Sequence, residues 1–391
     1  YFLDSLRGWV AGHEGTILRT TNGGRSWQTQ ITGITNNIQE IFMLNERLGW
    51  ALAHEYFVDT SVWYGTRILT TTNGGTTWTQ EQYPVWGDYF NAIFYTDSLH
   101  GWMAGEFGKL VRTTNAGLSW QPAVVDSSPY AQWTLVNVKF FSPQIGFAMG
   151  GRIDIIGVVW RTTNGGARWI PQQVSPEPVH DMQRLDSLHI VAIVGDVDYG
   201  ASMIRSRDAG VTWEYTFLNI FGLPQSLSFR TRNEVWAPLG FEGRLMYSLD
   251  TAHTWTTIET PRRRPVYDLV FTDSLTGYAV GDSGIILKFK APTVGVHEPA
   301  FGVPEGFRLY QNYPNPFNPS TTLSFDLPRA STVNLRVLNL LGQEVRTLIS
   351  GRREAGRHYV PFDARDLPGG VYFVVLQADG FSAVKKMMLL R

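Results

Sequence analysis

The 391-residue chain has no cysteine, so disulfides and thiolate metal sites are excluded. Net charge is also missing: 33 basic side chains face 34 acidic ones, leaving −1 at pH 7. Without a basic field, and without the spacing of an RRM, helix-turn-helix or zinc finger, nucleic acid is not an expected partner. The longest basic run, Arg262-Arg263-Arg264, reads as a solvated loop. No apolar stretch approaches the ~20 residues of a membrane helix, and none longer than a turn or two carries a 3.6-residue period. HExxH, P-loop, GxSxG and Rossmann fingerprints are absent. No catalytic residue, metal or cofactor is expected, and the chain is expected to be a monomer. It opens in mid-strand without Met, as it would if a leader were removed or lay upstream.

What the chain has is a phrase repeated six times. Thr20-Thr21-Asn22-Gly23-Gly24-Arg25-Ser26-Trp27 returns as Thr71 to Trp78, Thr113 to Trp120, Thr162 to Trp169, Ser206 to Trp213 and Ser248 to Trp255. Its tryptophans (Trp27, Trp78, Trp120, Trp169, Trp213, Trp255) recur roughly every 40–50 residues, which marks a repeat architecture. Asn22, Asn73, Asn115, Asn164, Asp208 and Asp250 stand where a side chain can bond its own backbone and start a tight turn. Asp-Ser-Leu at Asp4, Asp97, Asp186 and Asp273 marks a second turn. Short apolar runs bounded by Gly, Asn, Asp and Ser are strands. The unit is therefore four antiparallel strands, a to d from the inside outward, and repeated four-stranded sheets make a β-propeller. Counting a–b turns gives seven units over residues 1–290. The seventh, Val266 to Lys290, lacks the Trp phrase and a strand d. An N-terminal closing strand is expected to be missing, leaving the seventh blade unclosed or weakly closed.

Residues 291–306 read as a Pro/Gly-rich linker. Over residues 307–391 the strand pattern resumes, with Val333, Leu335 and Val337 alternating with Asn334 and Arg336. Strands are expected at Thr321–Leu327, Thr332–Leu338, Glu344–Leu348, Gly356–Phe362, Gly370–Leu376 and Ser382–Leu390, forming a small Ig-like sandwich. The whole chain is thus expected to be all-β.

Two resemblances are specific. Tyr313-Pro314-Asn315-Pro316-Phe317-Asn318-Pro319, Leu340-Leu341-Gly342-Gln343-Glu344-Val345, Gly369-Gly370-Val371-Tyr372-Phe373 and Lys385-Lys386-Met387-Met388 resemble the C-terminal sorting domain of the type IX secretion system. That resemblance implies secretion to the medium or the outer-membrane surface of a Bacteroidota-like bacterium. It also implies type IX machinery as partner of residues 307–391, with Tyr313, Pro314, Asn315, Pro316, Gly370, Tyr372 and Lys386 in the signal. The phrases, with Gly8-Trp9-Val10-Ala11-Gly12, resemble the Asp-box (BNR) repeat and the photosystem II assembly and stability factor family. The likeness implies the blade; photosystem assembly is not transferred to an exported chain.

A motif in every repeat is scaffold, so function belongs where repeats differ. Each b–c loop holds an acid: Glu14, Glu55, Glu106, Asp154, Asp196, Glu242 and Asp282. Such acids suit hydrated turns, and around a channel mouth can bind a polyol or cationic peptide. Loop aromatics Trp63, Tyr64, Trp86 and Trp133, with Tyr83, Tyr89 and Tyr130 nearby, can stack on sugars or anchor a protein. Arg19, Arg112, Arg161 and Arg205 at the end of strand c are read as inter-blade partners of carboxylates. The reading is an exported binding propeller for a glycan or protein. The alternative is a sialidase-like or other Asp-box glycoside hydrolase using two mouth carboxylates.

Overall fold

The computed structural model describes the chain except residues 57, 59–61, 291–305, 313–314 and 391. It is all-β: apart from three single-turn 3₁₀ segments, every described element is a strand. Two compact units divide the chain, Tyr1–Pro292 and Thr293–Arg391.

The first unit contains seven antiparallel sheets that follow one another along the chain; five have four strands, and the first and last have three. The phrase builds the same knot each time. Thr20 Oγ1 accepts the amides of Asn22 and Gly24, while Asn22 Oδ1 accepts the Ser26 amide at 3.0 Å. Asn73, Asn115, Asn164, Asp208 and Asp250 repeat that last bond. The Asp-Ser-Leu turns behave alike: Asp4, Asp97, Asp186 and Asp273 each accept the amides two and three residues on. The two turns are then tied together, as where the Gly23 amide donates to the Leu6 carbonyl. One end of each of the first six sheets is thus a bonded pair of turns, and the b–c and d–a loops form the other end.

Adjacent sheets lock through the aromatic that follows the opening residue of strand b. Trp50 stacks on Tyr95 of the next sheet with centroids 3.5 Å apart, and Trp102 packs on Phe140 at 4.2 Å. Tyr278 of the seventh sheet stacks on Phe2 beside the first at 3.8 Å, and its hydroxyl donates to the Ser5 carbonyl. The strand-c cations make a second lock. Arg161 donates to the Ala209 carbonyl and Arg205 to the Thr251 carbonyl, each in the phrase of the following sheet. Lys288 repeats this from the seventh sheet to Gly23 of the first, at 2.6 Å. The last sheet lacks a fourth strand, as expected, and of the two expected outcomes it is the weakly closed one: side chains, and no strand ladder among the described residues, join it to the first sheet. The strand-c arginines span sheets as expected, but Arg161 and Arg205 end on carbonyls of the phrase, because that turn aims its peptide oxygens at them.

Innermost strands form no backbone ladder with one another, so side chains serve their outward polar groups. Asn91 donates to the Leu135 carbonyl, Gln183 to the Leu227 carbonyl, and Asp181 accepts the Leu227 amide at 2.9 Å. Ser226 and Ser228 accept amides of the seventh sheet.

In the second unit, a three-stranded sheet holds Arg308–Leu309, Ser320–Leu327 and Gly356–Asp363. A four-stranded sheet runs in the order Glu344–Arg353, Ser331–Leu338, Gly370–Ala378, Phe381–Leu389. Phe325, Val333, Leu335, Val337, Val374 and Met387 from both sheets share one core. Every expected strand is present; the third runs on to Arg353 because its edge pairing continues past a register shift. The expected linker lies almost wholly outside the described residues, as do Tyr313 and Pro314 of the sorting motif.

Candidate functional site

The aromatic half of the inter-sheet lock is missing at one joint. Position by position, strand b offers Trp9, Trp50, Trp102, Phe147, Val191, Trp236 and Tyr278, aligned by their pairing with strand c. Only the fifth sheet has an aliphatic residue there. The phrase that faces it in the sixth sheet is the one with Ala252 in place of glycine. A plate-sized side chain is replaced by a small one, and a cleft of about 830 Å³ opens between the fifth and sixth sheets, at the end carrying the bonded turns.

The cleft is cationic. Its lining includes Arg184, Arg205, Arg207, Arg230 and Arg232, with His189 and His253, against the single carboxylate of Asp186. Not all five guanidinium charges are open. Arg230 pairs with Glu234 through two bonds and Arg207 with Glu214 at 3.4 Å. Arg184 donates to the Asp186 carbonyl at 2.7 Å and Arg205 to peptide carbonyls, so neither is neutralised by these bonds. Arg232 is exposed and has no carboxylate partner among the described residues. The Asp186 carboxylate is lowered to about 2, chiefly by the amides of Leu188 and His189 and then by the His189 ring. It stays ionised and engaged with its own turn. Charge-assisted bonds from such guanidinium forks suit carboxylate or sulfate oxygens.

At the opposite end the expected residues divide. Tyr64 and Trp86 meet edge to face at 5.9 Å. The Arg67 guanidinium lies over Trp63 at 5.5 Å and pairs with Glu55 at 3.3 Å. These five form one local cluster on the second sheet. Trp133 and Tyr130 pack instead against the core around Trp102, Trp160 and Trp169, and Tyr83 is buried against Phe90. They cover their own sheets, because a d–a loop must seal the joint it crosses. Glu14 sits in a positive-φ turn and Glu106 in a 3₁₀ turn. Asp282 accepts the Tyr267 hydroxyl, and Glu242 borders a small polar cavity with Arg244, Glu259 and Arg263. Asp196 is fully buried, accepting the amides of Asp198 and Tyr199 at 3.0 and 2.8 Å. It is a turn-former, inaccessible to ligand. No group of three His, Asp or Glu suited to a metal occurs among the described residues.

Reasoning from turns missed the innermost strands. Glu40 lies on an innermost strand, and burial, then the Asp268 charge, raises its carboxyl to about 8 against the pull of Lys139. Lys139 pairs with Asp181. The cleft was legible in principle: aligning strand b across repeats exposes Val191 as the odd member. A tyrosine–glutamate bond also exists, Tyr215 donating to Glu177 at 2.7 Å. It lies at the outer strand of the fifth sheet, and Glu177 is buried.

Comparison with known proteins separates the two units. Residues 311–390 match the family described as the secretion system C-terminal sorting domain, and the chain therefore carries a type IX sorting domain. Curated proteins contain no match to the chain. Among solved structures, YCF48 bound to D1 peptide aligns with TM-score 0.57 at 21% identity, over 74% of this chain and 92% of that one. YCF48 from Cyanidioschyzon merolae aligns at 0.57 and 17%, over 74% and 93%. An ancestral GH74 enzyme aligns at 0.51 and 13%, over 99% of this chain and 61% of that one. At these identities the likeness is one of fold: the first unit is a β-propeller.

Proposed function

We propose that the chain is a recognition protein, exported through its sorting domain to the medium or cell surface of a Bacteroidota-like bacterium. Its first unit is a closed seven-bladed propeller and its second an Ig-like sandwich that engages type IX machinery. The ligand site is the cleft between the fifth and sixth blades, and the ligand is an acidic peptide segment. One observation carries this: the joint that lacks its aromatic plug is also the one lined by five arginines. A neighbour of the same fold is described as bound to a peptide, which favours peptide over a small anion. The aromatic cluster of Trp63, Tyr64 and Trp86, with Glu55, is a second contact surface for glycan or protein. The glycoside hydrolase alternative has in its favour only the GH74 likeness in fold, and is not adopted.

Titration calorimetry with a hexaglutamate peptide at low salt tests the assignment. Binding should weaken at least tenfold in Arg184→Ala/Arg232→Ala and fall steeply with added salt. Val191→Trp, which restores the plug, should abolish it. Equal affinity in all three proteins would refute the cleft. Preference for a sulfated oligosaccharide over the peptide would keep the cleft and overturn the ligand class.

A further inference from the structure

The sorting unit shows solvent a sheet face with an apolar patch at one end. In Gly370–Ala378 the even residues Tyr372, Val374 and Leu376 face the core, as do Met387 and Leu389 of Phe381–Leu389. The odd residues of the first strand and the even residues of the second therefore face the other way. Their register builds four cross-strand rungs: Val371 with Met388, Phe373 with Lys386, Val375 with Val384, and the polar pair Gln377 with Ser382. Leu338 extends the second rung, opposite Phe373. Val384 is 53% exposed and Met388 36%, whereas Val375, at 8%, is already covered. A solvated outer face is ordinarily polar; here Asn334, Gln377 and Ser382 keep one end polar, while toward the other end only Lys386, with Arg336 beside it, interrupts the apolar residues. Arg336 is engaged by Gln377 and Glu344. Lys386 is exposed and has no carboxylate partner among the described residues.

The strand carrying this face is pinned at its free edge. Asn315 acts as a stand-in peptide unit: its Oδ1 accepts the Met388 amide at 2.8 Å and its Nδ2 donates to the Lys386 carbonyl at 3.1 Å. Gln311 donates to the same carbonyl. Phe317 exchanges backbone bonds on both sides, with Met388 and Leu390. This gives the Asn-Pro-Phe segment a physical role. It covers an edge that would otherwise invite another strand, and it fixes the rungs in one register. Recognition by strand addition at this stretch is thereby blocked, and the face stays preorganised.

We propose that this outer face is the surface the export apparatus reads. The partner is a protein surface that is apolar around one carboxylate, which reaches Lys386. The apolar rungs supply the desolvated centre of such an interface and the lone cation its register. The proposal rests on the export reading above and adds the face that is recognised.

The test is export of the full chain in a type IX-competent host, scored as the fraction outside the cell envelope. Val384→Asp and Lys386→Glu should each cut that fraction at least tenfold, with urea midpoints of the purified proteins unchanged. Val384→Thr, nearly isosteric, should give an intermediate loss, and Lys386→Arg should restore export. Thr322→Asp, on an exposed position of the other sheet, should export normally. Wild-type export by folded Val384→Asp and Lys386→Glu proteins would overturn the proposal. So would an equal loss in Thr322→Asp. Wild-type chain exported independently of residues 307–391 would instead overturn the export reading itself.

Discussion

Two kinds of residue sit at equivalent places in the repeats and behave differently. The phrase Asn or Asp is a local device, bonding only within its own turn. Asn164 accepts the Thr162 hydroxyl and the Arg168 amide. Asn164→Ala should therefore cost about 1–2 kcal/mol, one or two hydrogen bonds' worth. Asn164→Asp should cost little, since Asp serves the same turn at Asp208 and Asp250; urea unfolding of the three proteins checks this. Glu40 is tertiary in origin. Its carboxyl is raised to about 8 from 4.5, so the folded chain holds a proton the unfolded chain gives up. Stability from this group is full below about pH 4.5 and is lost as pH rises through about 8. The melting temperature should fall between pH 5 and 9 more steeply in the natural protein than in Glu40→Gln. Parallel profiles would assign the slope elsewhere; Asp268, Asp181 and Lys139 act on Glu40.

Between elements, the joints matter more than the sheets. Each sheet is a set of antiparallel hairpins whose turns close locally. Neighbouring sheets touch through aromatics such as Trp50 and Trp102 and, from Arg161, Arg205 and Lys288, through a strand-c cation that reaches a peptide carbonyl. The joint from the seventh sheet to the first uses both contacts, through Tyr278 and Lys288. Tyr278→Ala should remove the stacked pair at a cost of about 3–5 kcal/mol. Hydrogen exchange should speed first in Gly8–Ala11 and Thr276–Gly281, the strands on either side. Uniform acceleration across all sheets would show that this joint has no individual role. Val191 is the same position with the opposite outcome: the aromatic is gone, and space for a ligand takes its place.

At the scale of the whole molecule, the two units have separate cores. Calorimetry of the full chain should show two transitions. Tyr278→Ala should lower the one belonging to the propeller and leave the other in place. A single transition that moves as one would mean the units unfold together.

How much of this was legible follows from the range of each interaction. The phrase, the Asp-Ser-Leu turn and the alternation of Val333, Leu335 and Val337 act over a few residues, so spacing alone reveals them. Trp133, Tyr83 and Asp196 looked like surface groups because loop membership was taken for exposure. Each is drawn inward by partners far along the chain or by its own turn's amides. By itself, then, the sequence determined the all-β class, the repeat and the propeller, because these arise from local turn chemistry and side-chain period; the export signal was legible only as a resemblance in motif. Only the tertiary structure decided how the last sheet meets the first and which acids are buried. Those outcomes depend on side chains from different repeats meeting across a gap that no local pattern encodes.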